Sequence, residues 1–196
     1  MKLYWSKGSC SLASHITLEE ASAKFESQGI NLRESEQKKP EFLKINPKGK
    51  VPTLELDGGK VLTENPAIIT YVSDTHPGAK LLPAVGELSR YRALEWLAWC
   101  ASTVHVGFGP LFRNKDDATA RETTQLNLDR FDQWLGGNYV LGDQFSAADA
   151  YTIVFYLWGK SMGFKIGPRM QASVKKLIQR DGVKRALATQ GLTVEV

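Results

Sequence analysis

The sequence is poor in cysteine and has no long apolar run. Its two cysteines, Cys10 and Cys100, are too few and too far apart to supply a disulfide framework or a zinc site. That usage suits a reducing compartment and points to a cytoplasmic protein. No stretch of about 18 apolar residues occurs, so no transmembrane helix and no membrane partner are expected. The opening, Met1-Lys-Leu-Tyr-Trp-Ser, carries no signal-peptide h-region and reads directly as a strand. A strong charge excess is missing too. The formal net charge is +4, and most of the excess lies between Lys160 and Arg185, with Lys175, Lys176, Arg180 and Lys184 among the cations. No aromatic interleaving or nucleic-acid motif accompanies that run, so it reads as a solvated helix face rather than a nucleic-acid surface. There is no internal repeat and no low-complexity segment.

What is present is a change of pattern part-way along the chain. The first third alternates between strand and helix signals. Lys2 to Trp5 is a strand with Leu3 and Trp5 on one face, and Gly8-Ser9 is a turn whose serine caps a helix from about Cys10 to Lys24. A second strand is expected at Gly29 to Arg33 and a short helix at Pro40 to Ile45. Asn46-Pro-Lys-Gly then makes a turn. Thr53 to Leu56 and Lys60 to Leu62 read as a hairpin joined at Asp57-Gly58-Gly59, followed by a helix from Asn65 to Asp74. The order β-α-β-α-β-β-α ends at a Pro/Gly-containing linker after His76.

Beyond the linker only helical periodicity remains. One long helix is predicted from Leu88 to Phe108, ended by Pro110, with Ala98, Ser102 and His105 on one stripe. Further helices are predicted at Ala118 to Leu135, Ser146 to Trp158, Arg169 to Arg180 and Gly182 to Gln190. Ser146-x-x-Asp149, with Phe145 before it, is a capping device with no catalytic role. The expected architecture is α/β plus all-α: a domain over residues 1–78 and an all-helical domain over residues 79–196.

Five segments, in order and with matching spacing, resemble the bacterial beta-class glutathione transferases. They are Tyr4-Trp-Ser-Lys-Gly-Ser-Cys-Ser-Leu-Ala-Ser-His15; Asn46-Pro-Lys-Gly-Lys-Val-Pro52-Thr-Leu; Leu62-Thr-Glu-Asn-Pro-Ala-Ile; Arg90-Tyr-Arg with Glu95-Trp-Leu and Ser102-x-x-His105; and Gly142-Asp-Gln-Phe-Ser-Ala-Ala-Asp-Ala-Tyr151. The resemblance implies a thioredoxin-like N-terminal domain that binds glutathione and a C-terminal helical bundle carrying the electrophile side and dimer contacts. It implies that Lys50, Val51, Pro52, Glu64, Asn65 and Ser102 hold glutathione as co-substrate, with no metal. The Val51-Pro52 peptide is expected to be cis, presenting the Val51 backbone to the cysteinyl part of the ligand like an added strand. Backbone N–H groups at Glu64-Asn65, a helix start, suit the γ-glutamyl carboxylate.

The chemistry requires stabilisation of a thiolate. Cys10, placed at a helix N-terminus, is a candidate catalytic residue whose own sulfur is expected to favour the thiolate form. The resemblance places it at the glutathione sulfur, where a mixed disulfide can form. Position 13 is alanine, so dithiol oxidoreductase chemistry is not expected. His105 is the second catalytic candidate, as a donor to the sulfur or a proton relay. Cys100 and His15 read as core and structural groups. Departures from the family pattern stand at Lys7, Ser35 (for which Lys38 can compensate), Ala98 and Val106, each removing a residue the family usually has there. The expected activity is conjugation of glutathione to small apolar electrophiles by a homodimer, with Phe108, Phe112, Trp158 and Phe164 suggesting an apolar site. Two alternatives stay open: a glutathione-dependent reductase working through a mixed disulfide at Cys10, and a non-catalytic ligand-binding protein on the same fold.

Overall fold

The computed structural model describes all 196 residues, Met1–Val196. Its elements begin with β1 (Lys2–Trp5), α1 (Ser11–Glu20), β2 (Glu26–Gly29), α2 (Pro40–Ile45), β3 (Thr53–Glu55), β4 (Val61–Thr63) and α3 (Asn65–Thr75). The helices α4 (Leu88–Trp99), α5 (His105–Phe108), α6 (Ala118–Trp134), α7 (Ala150–Ser161), α8 (Pro168–Leu177) and α9 (Asp181–Gln190) follow. The chain divides into two compact units, residues 1–81 with 181–193, and residues 82–180 with 194–196. The division at residue 78 expected from sequence put α9 among the later helices; its packing puts it against α1 in the first unit.

In the first unit the four strands run in the order β2-β1-β3-β4. β1 pairs parallel with β2 and antiparallel with β3, and β3 pairs antiparallel with β4. This is the thioredoxin-like α/β arrangement anticipated. Alternation along β1 sends Tyr4 to one face, where it meets the Phe42 ring edge-on at 5.7 Å, and Trp5 to the other, against His15 of α1. Leu12, Ile16, Ile68, Ile69 and Val72 are fully buried on α1 and α3.

Two boundaries differ from expectation. β2 lies at Glu26–Gly29 rather than at Gly29 to Arg33, because the strand Glu-Ser-Gln-Gly is exposed throughout and is held by backbone pairing to β1. The apolar Ile30, which suggested a later strand, instead drops into the cluster with Tyr4 and Phe42. α1 stops at Glu20, not Lys24, since Ser22 turns left-handed (φ 50°) and Ala23 N–H returns to Leu18 O.

The second unit is all helical. The single helix expected from Leu88 to Phe108 is interrupted: Cys100–Val104 forms a π-helical turn, with His105 N–H bonded to Cys100 O five residues back. Such a turn is wider than an α turn and interrupts the α-helical spacing assumed for Ser102 and His105. At the other end of the unit the predicted capping box is present. Ser146 N–H and Val140 N–H donate to Asp149 at 2.8 and 2.7 Å, holding the entry to α7. The core gathers Trp96, Phe108, Phe131, Tyr151 and Phe155. No helix is long and apolar enough to cross a membrane.

Candidate active site

Cys10 sits on the last residue before α1, after a turn in which Gly8 has φ 66°. The serines around it form a local network. Ser6 N–H donates to Ser11 Oγ at 3.0 Å, Ser11 Oγ donates to Ser6 O at 3.3 Å, and Ser9 Oγ accepts Ser11 N–H at 3.3 Å. The cap expected of Ser9 is shifted: α1 starts at Ser11, so the N-cap position is Cys10, which makes no side-chain capping bond, and Ser9 meets Ser11 N–H from the residue before it. The Cys10 S–H points at Val51 O, 3.7 Å away. Two candidates distant in sequence are therefore adjacent in the fold.

Val51-Pro52 is cis, as expected. The loop before it is shaped by Asn46, a buried residue that the sequence showed only as part of a turn. Its Nδ2 donates to Lys50 O and to Thr53 Oγ1, both at 2.8 Å, and its Oδ1 accepts Lys48 N–H at 3.1 Å. One carboxamide therefore fixes both flanks of Val51-Pro52. Lys50 itself is exposed.

Glu64 precedes α3 with φ 70°, ψ 124°, a conformation uncommon for a non-glycine residue and of the kind found where function over-determines the backbone. Its exposed carboxylate takes Lys48 Nζ at 3.2 Å, and Lys48 also donates to Thr63 Oγ1 at 2.8 Å. Asn65 is turned inward. Its Nδ2 donates to Cys10 O at 2.9 Å and its Oδ1 accepts Ser14 O–H at 2.6 Å. With its carboxamide spent inside the protein, Asn65 has only its backbone N–H to offer an anion, the group the helix-start argument requires.

The electrostatics of Cys10 overturn one expectation. Burial pushes its thiol up to about 12, with Glu64 adding to the rise, while its own backbone N–H, Asn65 and Lys50 pull the other way. Desolvation outweighs the helix end, so Cys10 stays protonated at neutral pH. Cys100, fully buried, is raised well above the ordinary range by burial and the Asp149 carboxylate. His15 is also fully buried, and burial lowers it to about 4, which makes it a neutral structural group.

Ser102 and His105 lie in the second unit. Ser102 is exposed, with its hydroxyl 3.4 Å from Thr103 Oγ1. His105 is half-buried and stands edge-on to Trp158 at 5.0 Å, and Phe112 meets the same indole at 4.9 Å. Phe108 and Phe164 extend this aromatic cluster. Of the departing positions, Ala98, Val106, Lys7 and Ser35 are all exposed. Lys38 Nζ lies 3.2 Å from where a Cβ on Gly49 would stand, against the Asn46–Gly49 turn. The basic run is partly engaged: Arg185 donates to Glu19 at 2.6 Å and Arg180 lies 3.7 Å over the Phe145 ring.

Known proteins share this arrangement along the whole chain. Residues 1–74 match the glutathione S-transferase N-terminal domain and residues 97–180 the glutathione S-transferase C-terminal domain. The glutathione S-transferase GstA of Escherichia coli O157:H7 is 34% identical over 98% of this chain and 100% of its own. A sphingomonad glutathione S-transferase solved in complex with glutathione superposes with a TM-score of 0.89 at 40% identity, covering 98% of this chain and 100% of that one. The bacterial beta-class glutathione S-transferase of Sphingomonas chungbukensis gives 0.87 at 37% identity, with 98% and 100% covered. Matched in both of its domains and end to end by such proteins, the chain belongs to the glutathione S-transferase family.

Proposed function

We propose that the protein is a glutathione transferase that conjugates the glutathione thiol to small apolar electrophiles. The observation that carries the reading is the contact of Cys10 Sγ with Val51 O at 3.7 Å. It sets a thiol beside the backbone segment on which an extended cysteinyl peptide adds like a strand. Lys50, Val51 and Pro52 then hold the cysteinyl part. Glu64 receives the γ-glutamyl ammonium, the backbone N–H groups at the start of α3 receive its carboxylate, and Ser102 and His105 are further contacts. Burial raises the Cys10 thiol and its S–H already faces a backbone acceptor, so in this reading it serves as an S–H donor to the glutathione sulfur. That favours conjugation over the mixed-disulfide reductase. The family resemblance gives His105 the role of a second donor, and in the structure it stands edge-on to Trp158.

The test is retention on glutathione-agarose followed by turnover of chlorodinitrobenzene. Retention with glutathione-dependent product formation is expected, and weaker turnover in His105→Ala and Ser102→Ala. Retention without turnover of any electrophile favours the ligand-binding alternative, and no retention at all sinks the reading. The proposal includes a cytoplasmic, detoxifying homodimer. Leu88 and Tyr91 on α4, 70% and 53% exposed, offer apolar surface to a second copy. Light scattering at micromolar concentration is expected to give twice the 21.8 kDa chain mass, and the chain mass alone would exclude the dimer.

A further inference from the structure

The last helix of the chain makes a polar contact with the turn that carries Cys10, and neither the motifs nor the expected mechanism uses it. Gln190, at the end of α9, is 2% exposed, and both ends of its carboxamide are engaged. Its Oε1 accepts Gly8 N–H at 3.2 Å, and its Nε2 lies 3.1 Å from His15 Nδ1. A backbone N–H can only donate, so the carboxamide oxygen faces Gly8 and the NH2 faces the imidazole. His15 Nδ1 is therefore the acceptor and the ring proton sits on Nε2. Gly8 stands two residues before Cys10 and His15 five residues after it, so one side chain grips the chain on both sides of the thiol.

The helix that presents Gln190 is itself pinned to α1. Arg185 Nε and Nη2 donate to Glu19 Oε2 and Glu19 O at 2.6 and 2.7 Å. Gly182 lets the backbones close: a Cβ there would come within 2.7 Å of Glu20 N. Just past Gln190, the Leu192 side chain approaches Gly8 and Lys7 Nζ approaches Gly191. A buried carboxamide engaged at both ends specifies the local geometry of the two segments it bonds, because displacing either strands a buried donor or acceptor.

We propose that Gln190 is a positioning residue for Cys10, its carboxamide holding the Lys7–Gly8–Ser9 turn and α1 in the relative arrangement that aims the thiol at Val51 O. This rests on the reading that Cys10 meets the glutathione sulfur. It goes beyond that reading by assigning the site's alignment to a residue about 180 positions away in sequence.

The experiment compares Gln190→Met, Gln190→Glu and Arg185→Met with the parent protein. Met removes both hydrogen bonds at similar volume. Glu keeps an acceptor for Gly8 and sets a carboxylate against an imidazole nitrogen that has no proton to give it. Arg185→Met loosens the same helix while leaving the carboxamide in place. The readouts, taken below the unfolding transition, are the pH profile of iodoacetamide alkylation at Cys10 by peptide mass spectrometry, and glutathione KM and kcat. In Gln190→Met the released turn admits water to the sulfur. Alkylation at pH 8 is expected to rise about tenfold and its profile to move to lower pH, with glutathione KM rising more than kcat falls. Gln190→Glu is expected to give the same direction and to raise the titration of His15 seen by ring-proton NMR. Arg185→Met is expected to lower the unfolding midpoint with the alkylation profile unchanged. No rise in alkylation in either Gln190 variant, or the same rise in Arg185→Met, overturns the proposal. Alkylation needs no glutathione, so a parent protein that fails to turn over glutathione would defeat the proposed function while this test still reads Gln190.

Discussion

Asn65 Nδ2 donates to Cys10 O across 2.9 Å, joining the start of α3 to the start of α1. Its other end is tied to Ser14, so the carboxamide is a buried splice between two helices. Asn65→Ala strands the Ser14 hydroxyl and removes one of the donors to Cys10 O, which keeps Ala13 N–H. A loss of about 1–3 kcal/mol is expected from urea unfolding. Weaker glutathione binding should accompany it, because the Cys10 backbone is released from α3. An unchanged unfolding midpoint would mean that water replaces both bonds.

The protonated state of Cys10 has a kinetic signature. An ordinary thiol reaches its maximal alkylation rate within a unit or so of pKa ~8.5. With its thiol near 12, Cys10 should react slowly at pH 7 and keep accelerating as pH rises past 10. The adduct should fall on Cys10 and not on Cys100, which is fully buried. A plateau near pH 8–9, read by peptide mass spectrometry, would contradict the burial argument.

His15 ties stability to pH. The unfolded chain takes up its imidazole proton near 6.5 and the native protein near 4. Between those values the unfolded state holds more protons, so stability rises with pH through the window. The contribution is complete above 6.5 and is lost as pH falls toward 4, amounting to about 3 kcal/mol. Urea midpoints measured from pH 7 down to 4 should decline, and the decline should be shallower in His15→Gln. Identical slopes for the two proteins would refute the assignment.

Ala98 is exposed at a position where the resemblance to the beta-class transferases implies an asparagine. A hydrogen bond to a charged ligand is worth about 1.5–3 kcal/mol. Glutathione should therefore bind this protein weakly, and Ala98→Asn should tighten binding by roughly tenfold to a hundredfold without altering the fold. Calorimetric titration of both proteins decides it: tight binding by the parent, or no gain in the variant, would show that the missing contact is already replaced.

The element order was legible because strand alternation, Gly/Asp turns and helical periodicity are local signals. β2 was misplaced because Glu26–Gly29 has no apolar residue to announce it, and only its pairing with β1 makes it a strand. The π turn at Cys100–Val104 was hidden because its residues suit an α-helix equally well. Gln190 carries no local mark of importance and Asn46 only that of a turn; their bonds reach segments that the fold brings to them.

The sequence by itself determined the two-part architecture, the family, the capping box at Ser146–Asp149 and the placement of Cys10 at a helix start, all of which depend on residue types at short spacing. Tertiary structure alone decided the ionisation of Cys10. A helix end favours thiolate, but burial in the folded chain overrides it, and burial is not a property of the local sequence. It also decided that α9 belongs with α1, since a helix's periodicity gives its buried face but not the partner that covers it.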